Sequence, residues 1–430
     1  MRACHWVCCL PAFASVIVFN VGAAESNGRQ SLIDGAHYAF TTSTVGKGDL
    51  HGWSDVASTG LTGLAAADGI CQARAAGANL PNPAEFVAWL SDRDNDAYCR
   101  VFGLTGRKAD NCGLPALPIG AGPWLRTDGV PFADTIEAAL DANRVYSNLA
   151  VDEFGARTFD PEESFTATAK DGTFSTEFAP AADCAHWTSE TADPLATAVM
   201  LGSSLAAGGD WTADGHGVTC SSQQRLMCLQ KNAGPALAHV GQVGQREAFA
   251  SSVDVNGNLG GVAGGDAVCQ SLATSAHLYQ PASFKALLAA TGVVNVSDRF
   301  TFDGPWYRRD GLLFAHDKAE LAGGAVTLPL NVTEAGAYLG ISVALTGATR
   351  TGEPQLSLDC SDWTSTAGLG QAALANSIAL VGSGGGNWLS AAQVSCTATP
   401  LAGDWPRKLF CLSDADVVFH AEFDEVPAAP

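Results

Sequence analysis

Charge is scarce in this sequence. Charged residues make up 16% of its 430 positions, and cations are the rarer kind, with 23 Lys and Arg against 44 Asp and Glu and a formal net charge of −21. A surface this negative repels phosphate backbones and anionic membranes, so nucleic acid is excluded as an expected partner. Beyond Ala24 no apolar run is long enough to span a bilayer, and no membrane span is expected. Catalytic signatures are missing as well: G-x-S-x-G, H-E-x-x-H and G-x-x-x-x-G-K-[ST] do not occur. His37, His51, His186, His216, His239, His277, His316 and His420 are scattered, and acidic pairs such as Glu162 and Glu163 read as solvated loop charge rather than as a glycosidase dyad. These absences point away from an enzyme and from a resident cofactor.

Cysteine is present in number, 13 in all, but none of the ten beyond Cys9 forms a C-x-x-C pair. Zinc and thioredoxin-like redox chemistry are therefore poorly supported. Cys4, Cys8 and Cys9 lie in a segment that reads as an export signal over residues 1–24. Arg2 precedes an apolar stretch from Trp6 to Val21, and the small residues Gly22, Ala23 and Ala24 stand before Glu25. An even count of ten cysteines in an exported chain implies bridges rather than free thiols, and an extracellular or cell-surface location.

The sequence then repeats itself. Leu61-Thr-Gly63-Leu-Ala65-Ala-Ala-Asp68-Gly-Ile-Cys71-Gln72 aligns with Leu259-Gly-Gly261-Val-Ala263-Gly-Gly-Asp266-Ala-Val-Cys269-Gln270. Pro123-Trp124-Leu-Arg126-Thr-Asp128-Gly129 aligns with Pro305-Trp306-Tyr-Arg308-Arg-Asp310-Gly311. Cys184-Ala-His-Trp187-Thr188 matches Cys360-Ser-Asp-Trp363-Thr364, Gly208-Gly209-Asp210-Trp211 matches Gly385-Gly386-Asn387-Trp388, and Cys228-Leu229 matches Cys411-Leu412. Blocks that recur in one order mark a duplicated unit. The reading divides the chain into copy one over 36–232, a linker over 233–244, copy two over 245–412 and an acidic tail over 413–430, in which Val417-Val418-Phe419 could add an edge strand.

Each copy has an early cysteine, a middle pair 36 residues apart and a late one, while Cys99 and Cys112 belong to copy one alone. The common spacing suggests that the middle pair closes one loop and that the early and late cysteines join the ends; the repeat narrows the connectivity without settling it. The apolar stretches from Tyr38 and from Ala248 read as first strands. The Ala-rich stretch around Cys71 reads as a helix ending near Gly77. A second helix is expected from Asn82, with Pro83 at its first position, Glu85 completing a capping box, and Phe86, Trp89 and Leu90 facing the core. Short apolar runs broken by Gly, Pro, Asn and Asp follow, so the expected fold class is α+β: two helices and a loop-rich, mainly antiparallel sheet in each copy.

This arrangement of cysteines and tryptophans resembles the C-type-lectin-like fold. More narrowly, it is similar to secreted bacterial domains of unknown function related to the endostatin-like (collagen C-terminal) branch of that superfold. The resemblance implies two tandem C-type-lectin-like domains. It leads to the expected bridges Cys71–Cys228, Cys184–Cys220, Cys269–Cys411 and Cys360–Cys396, with Cys99–Cys112 across an inserted loop. True C-type lectins bind sugar through calcium held by Glu-Pro-Asn or Gln-Pro-Asp and by Trp-Asn-Asp. Copy two has Glu353-Pro354-Gln355 at roughly the right place, but its Asn387-Trp388-Leu389 lacks the Asn-Asp pair after the ring; copy one has Thr176-Glu177-Phe178 and, later, Asp210-Trp211-Thr212-Ala213. The calcium site is thus incomplete in one copy and absent in the other. Glu353, Gln355, Asn387, Trp388, Asp210 and Trp211 are the candidate ligand-binding residues, without an expected metal, whereas the recurring tryptophans read as packing beside bridges. Arg126 with Asp128, and Arg308 with Asp310, read as Asp-Gly turns held by an arginine. Asn295-Val-Ser297 and Asn331-Val-Thr333 match the glycosylation sequon, which a bacterial host would leave unmodified. The function expected is a secreted or surface-exposed, adhesin-like binding protein that recognises glycan or extracellular protein. The alternatives are a structural envelope component without a small ligand and, behind it, an unrecognised hydrolase.

Overall fold

The computed structural model describes residues 35–416 apart from 159–160, 162, 179–181, 193–197, 236–245, 290, 293–294, 324–325, 341, 356, 376–387 and 398–405. The export signal, most of the linker and Val417-Val418-Phe419 lie outside the described residues. Strands of the first half are β1 (His37–Thr41), β2 (Phe86–Ala88), β3 (Trp124–Arg126), β4 (Pro131–Ala133), β5 (Glu163–Phe165), β6 (Val199–Ser203), β7 (Gly217–Val218) and β8 (Met227–Gln230). Those of the second are β9 (Arg246–Ala250), β10 (Phe284–Ala286), β11 (Trp306–Arg308), β12 (Leu313–Ala315), β13 (Val343–Leu345), β14 (Leu369–Leu374), β15 (Ala392–Ser395), β16 (Arg407–Lys408) and β17 (Phe410–Ser413). Each half builds a five-stranded sheet in the same order, β2-β8-β1-β3-β4 and β10-β17-β9-β11-β12. The last strand of each sheet in sequence lies between the first two, and the first strand runs parallel to the Pro-Trp strand, His37 opposite Trp124 and Arg246 opposite Trp306. Smaller sheets, β5-β6-β7 and β15-β14-β13-β16, carry the later loops.

Strand alternation buries both faces of each main sheet. Tyr38 and Phe40 enter one apolar cluster and Ala39 the other; Ala248 and Ala250 enter one and Phe249 the other. The mixed helix-and-sheet composition holds, but the second helix does not form. Pro83–Glu85 is a single 3₁₀ turn, Asn82 is left-handed at φ 50° with no side-chain cap, and Phe86–Ala88 is the edge strand β2. Phe86–Ala88 instead pairs with β8 and is buried throughout, so tertiary pairing overrides the capping signal.

The long helix Gly63–Gly77 explains why this edge is safe. Asp68 and Gln72 stand one turn apart on one face. The Asp68 carboxylate accepts from Ala88 N at 3.0 Å, and Gln72 Nε2 donates to Phe86 O at 3.2 Å. Arg100 Nη1 donates to Ala88 O at 2.8 Å and to Leu90 O at 2.7 Å, and its other amine pairs with Asp68. The second half repeats the clamp: Asp266 accepts from Ala286 N at 2.8 Å, Gln270 donates to Phe284 O at 3.3 Å, and Arg299 bonds Ala286 O and both Asp266 oxygens. The outward groups of the edge strand are thereby paired with side chains instead of being offered to another chain.

Among the described residues five disulfides tie these parts: Cys71–Cys228 and Cys269–Cys411 pin each helix to the late central strand, Cys184–Cys220 and Cys360–Cys396 span 36 residues each, and Cys99–Cys112 spans 13. The Cys-x-x-Trp segments form single left-handed turns, with φ between 50° and 63° over Cys184–Trp187 and Cys360–Trp363. Left-handed backbone costs about 1–2 kcal/mol per non-glycine residue. The turn is held by its bridge and by the indole N–H, which donates to Ser91 O at 2.9 Å from Trp187 and to Ala289 O at 2.7 Å from Trp363. A Cβ on Gly48 or Gly257 would overlap the sulfur of Cys184 or Cys360.

Ala185 is exposed within its turn. Ala185→Gly should therefore stabilise the protein by about 1 kcal/mol, because glycine accepts positive φ without strain. Ala73→Gly, on the exposed face of the helix, should destabilise it by about 1 kcal/mol. Thermal unfolding of the two variants checks the opposite signs.

Candidate functional site

Residues matched between the halves serve the fold. Trp124 and Trp306 donate to Gln230 O at 2.8 Å and Ser413 O at 2.9 Å, and with Trp187, Trp363, Trp211 and Trp388 they are at most 1% exposed. Trp211 packs on Trp89 at 4.9 Å and edge-on to Phe132 at 5.3 Å; Trp388 packs on Phe314 at 5.5 Å and Phe410 at 5.8 Å. Neither offers a face to a sugar. Asp210 is buried beside Lys170, 2.9 Å away. Glu353 is exposed in a turn, where its carboxylate accepts from the hydroxyls of Thr349, at 2.7 Å, and Thr351; Gln355 N donates to Gly347 O at 2.7 Å. Asn387 lies outside the described residues. The structure does not gather the described members of this set into one open site.

The register also corrects the correspondence between copies. Ala348 bridges Pro354 as Thr168 bridges Phe174, so Glu353-Pro354-Gln355 corresponds to Thr173-Phe174-Ser175 and not to Thr176-Glu177-Phe178. Among the described residues, no three His, Cys, Asp or Glu side chains come together as a metal site, and no helix is long and apolar enough to cross a membrane. The sequon asparagines are engaged: Asn331 is buried, accepting from Arg308 at 3.0 Å and donating to Val145 O at 3.2 Å, and Asn295 donates to Thr351 O at 2.6 Å.

Features found in one half alone mark a different place. Arg100 and Trp124 are 24 positions apart, their counterparts Arg299 and Trp306 only 7. The extra length in the first half is a loop pinned at several points. Cys112 is bonded to Cys99, Tyr98 Oη donates to Pro118 O at 2.7 Å and to Glu137 at 3.0 Å, and Gly120 N donates to Glu137 at 3.1 Å. Lys108 lies over the Tyr98 ring at 4.3 Å and donates to Asp171 O at 2.7 Å. Burial beside Glu137 pushes the Tyr98 hydroxyl above its ordinary value, which keeps it a donor. The loop displays Leu114-Pro115-Ala116-Leu117-Pro118-Ile119, six apolar residues in a row, with Leu117 turned toward the core and Ile119 76% exposed.

Clefts border both ends of this loop. One of 310 Å³ lies between Leu64, Asp68, Val87, Asn95, Arg100 and Lys231 under Gly103–Thr105; another of 300 Å³ lies between Gly120, Pro123, Asp134 and Gly234. Arg100 and Asp68 are occupied with the edge strand, so the first cleft presents an apolar wall and the Lys231 ammonium, 3.3 Å from Glu85. Next to the loop base, His186 Nδ1 stands 3.4 Å from Asp92, 3.7 Å from Asp183 and 3.8 Å from Asp94, while Arg93 holds Asp183 at 2.7 Å. Its counterpart in the second half is Asp362, which accepts from Thr291 N at 3.0 Å. The private Cys99–Cys112 pair was the sequence signal for this loop. Its apolar run was the part that sequence reasoning passed over.

No protein-family model matches the chain, and no curated protein matches it.

The small sheet of the first half supplies a pH probe. Burial pushes the Asp214 carboxyl up to about 6, opposed by a hydrogen bond from His216 N at 2.8 Å and aided by the charge of Glu163. A raised folded pKa means that the folded state binds this proton more tightly than the unfolded one. The penalty of ionisation is therefore absent near pH 4, grows as pH rises to 6 and is constant above. Asp214→Asn keeps the acceptor and removes the charge, so it should stabilise the protein by about 2–3 kcal/mol at pH 8 and by almost nothing at pH 4. Denaturant melts at the two pH values check it.

Proposed function

We propose that this is an exported, adhesin-like binding protein built on two C-type-lectin-like units, whose recognition surface is the copy-one loop and its flanking clefts. The observation that carries the reading is the exposed pair Leu114 and Ile119, set in the apolar row 114–119 on a loop pinned by Cys99–Cys112, Tyr98 and Glu137. An ordered apolar protrusion gains little in a monomer, but on docking it buries area with little further loss of conformational freedom. Its apolar character favours an extracellular protein as ligand over a glycan, whose hydroxyls ask for polar partners and exposed aromatic faces. The buried positions of Trp211 and Trp388 point the same way. A role as a structural envelope component is the second reading, favoured by how fully the residues shared between the halves are spent on the scaffold.

Screening the purified protein against extracellular-matrix proteins and glycan arrays, with and without chelator, tests the proposal. Binding to a protein ligand that is indifferent to chelator is expected. Leu114→Asp and Ile119→Asp should each weaken it at least tenfold with the melting temperature unchanged. Absence of any ligand in both screens would sink this reading in favour of the structural one.

A further inference from the structure

The Pro-Trp-x-Arg-x-Asp-Gly turn occurs in both halves, yet its arginine does different things in the two. Arg126 pairs with Asp128 and donates to Asn148 O at 3.0 Å, all within the first half. Arg308 pairs with Asp310 and donates to Pro329 O at 2.8 Å, but the same amine also reaches Tyr146 O of the first half at 2.8 Å. Asn331 Nδ2 donates to Val145 O at 3.2 Å, whereas Asn148 Nδ2 bonds Leu205 O inside its own half. The Tyr146 and Tyr338 rings meet edge-to-face at 5.9 Å, and the Arg144 guanidinium lies 5.9 Å over the Tyr338 ring. Nearby, Gly208 adopts φ +74°, and a Cβ there would stand 3.1 Å from Gly340 Cα and Leu339 O. Two backbones approach this closely only where glycine leaves room.

Arg308 and Asn331 are buried, and so are Val145 and Tyr146 on the other side. Burial alone would raise the Asp310 carboxyl; the Arg308 guanidinium and the Tyr338 hydroxyl hold it below its ordinary value, so the pair stays ionised. The ion pair itself lies within the second half and holds the guanidinium in place; a shift of the halves would strip this buried cation of the Tyr146 carbonyl, so the contact specifies orientation.

We infer that the two halves are docked as one rigid body, with the segment Arg144–Tyr146 of the first seated on Arg308, Asn331 and Tyr338 of the second. The two units therefore present a single composite surface and do not swing independently on the linker. The seam is a one-to-one fit. Tyr338 bridges Val332 as Arg157 bridges Val151, so the first half carries Arg157 where the second carries the aromatic seat. A second Arg144-like segment arriving there would face Arg157 and Arg126 instead of a ring, and the contact does not propagate into a filament.

No described disulfide crosses the seam, since each joins two cysteines of the same half. Cutting the chain at a protease site inserted between residues 236 and 244 therefore leaves only the docking contacts. Gel filtration of the cut protein at micromolar concentration should show one particle of the full mass. The combined Arg144→Glu and Tyr338→Ala variant should weaken the association at least about thirty-fold, the change made by 2 kcal/mol. Separation of the cut wild-type protein, or a variant that stays associated as tightly, overturns the inference. Small-angle scattering of the uncut chain gives a readout that does not depend on cutting: one compact arrangement is expected for wild type and a broadened ensemble for the variant, and a broad ensemble in wild type refutes the docking.

Discussion

Each half of the molecule depends on a closure that the chain makes only at its end. The late strand, β8 or β17, lies between the first strand and the edge strand, and a disulfide joins it to the long helix packed behind. Without that strand, β2 has no partner on its inner side and the helix loses its covalent anchor to the sheet. The ordering of the first residues of each half thus waits on the last ones. Non-local pairing of this kind carries a high chain-entropy cost. A covalent tie between positions 157 residues apart in one half and 142 in the other restrains the unfolded chain where that cost is largest.

Around this closure the polar groups are used economically. Asp68, Gln72 and Arg100, with Asp266, Gln270 and Arg299, pair the outer groups of the edge strands. Glu153 and Glu334 are buried and accept from the backbone N–H of Ser43 at 2.9 Å and Ser252 at 3.0 Å, where the first strands leave the sheet. Because the same contacts recur where the surroundings differ, they belong to the scaffold. The duplication acts as an internal control, and what survives it is the copy-one loop with its clefts, the His186 surroundings and the seam at Arg308.

Much of the scaffold was legible. Eight cysteines in one repeated order, the Ala-rich stretch at Cys71 and the Arg-x-Asp-Gly turns are local or periodic signals, and the physics they report is local as well. The second helix was misread at Asn82-Pro83 because a capping pattern speaks only for isolated backbone. There, pairing with β8 offered a better destination for the N–H and C=O groups of Phe86–Ala88. Of the candidate ligand residues, Asp210, Trp211 and Trp388 are buried while Glu353 is exposed, and the burial of the tryptophans agrees with their reading as packing beside bridges. Recurrence beside a bridge in both copies is what pointed these rings to the core.

By itself the sequence determined the duplication, the paired cysteine pattern, the mixed fold class and the presence of an extra loop in one copy, since each is written in order, spacing or composition. Tertiary structure alone decided which polar residues guard the sheet edge, which way Ile119 and Leu117 face, and that Arg308 reaches the other half while Arg126 stays at home. Those outcomes depend on groups brought together from 10 to more than 160 residues apart. Burial and hydrogen-bond satisfaction act on neighbours in space, and no window of sequence contains them.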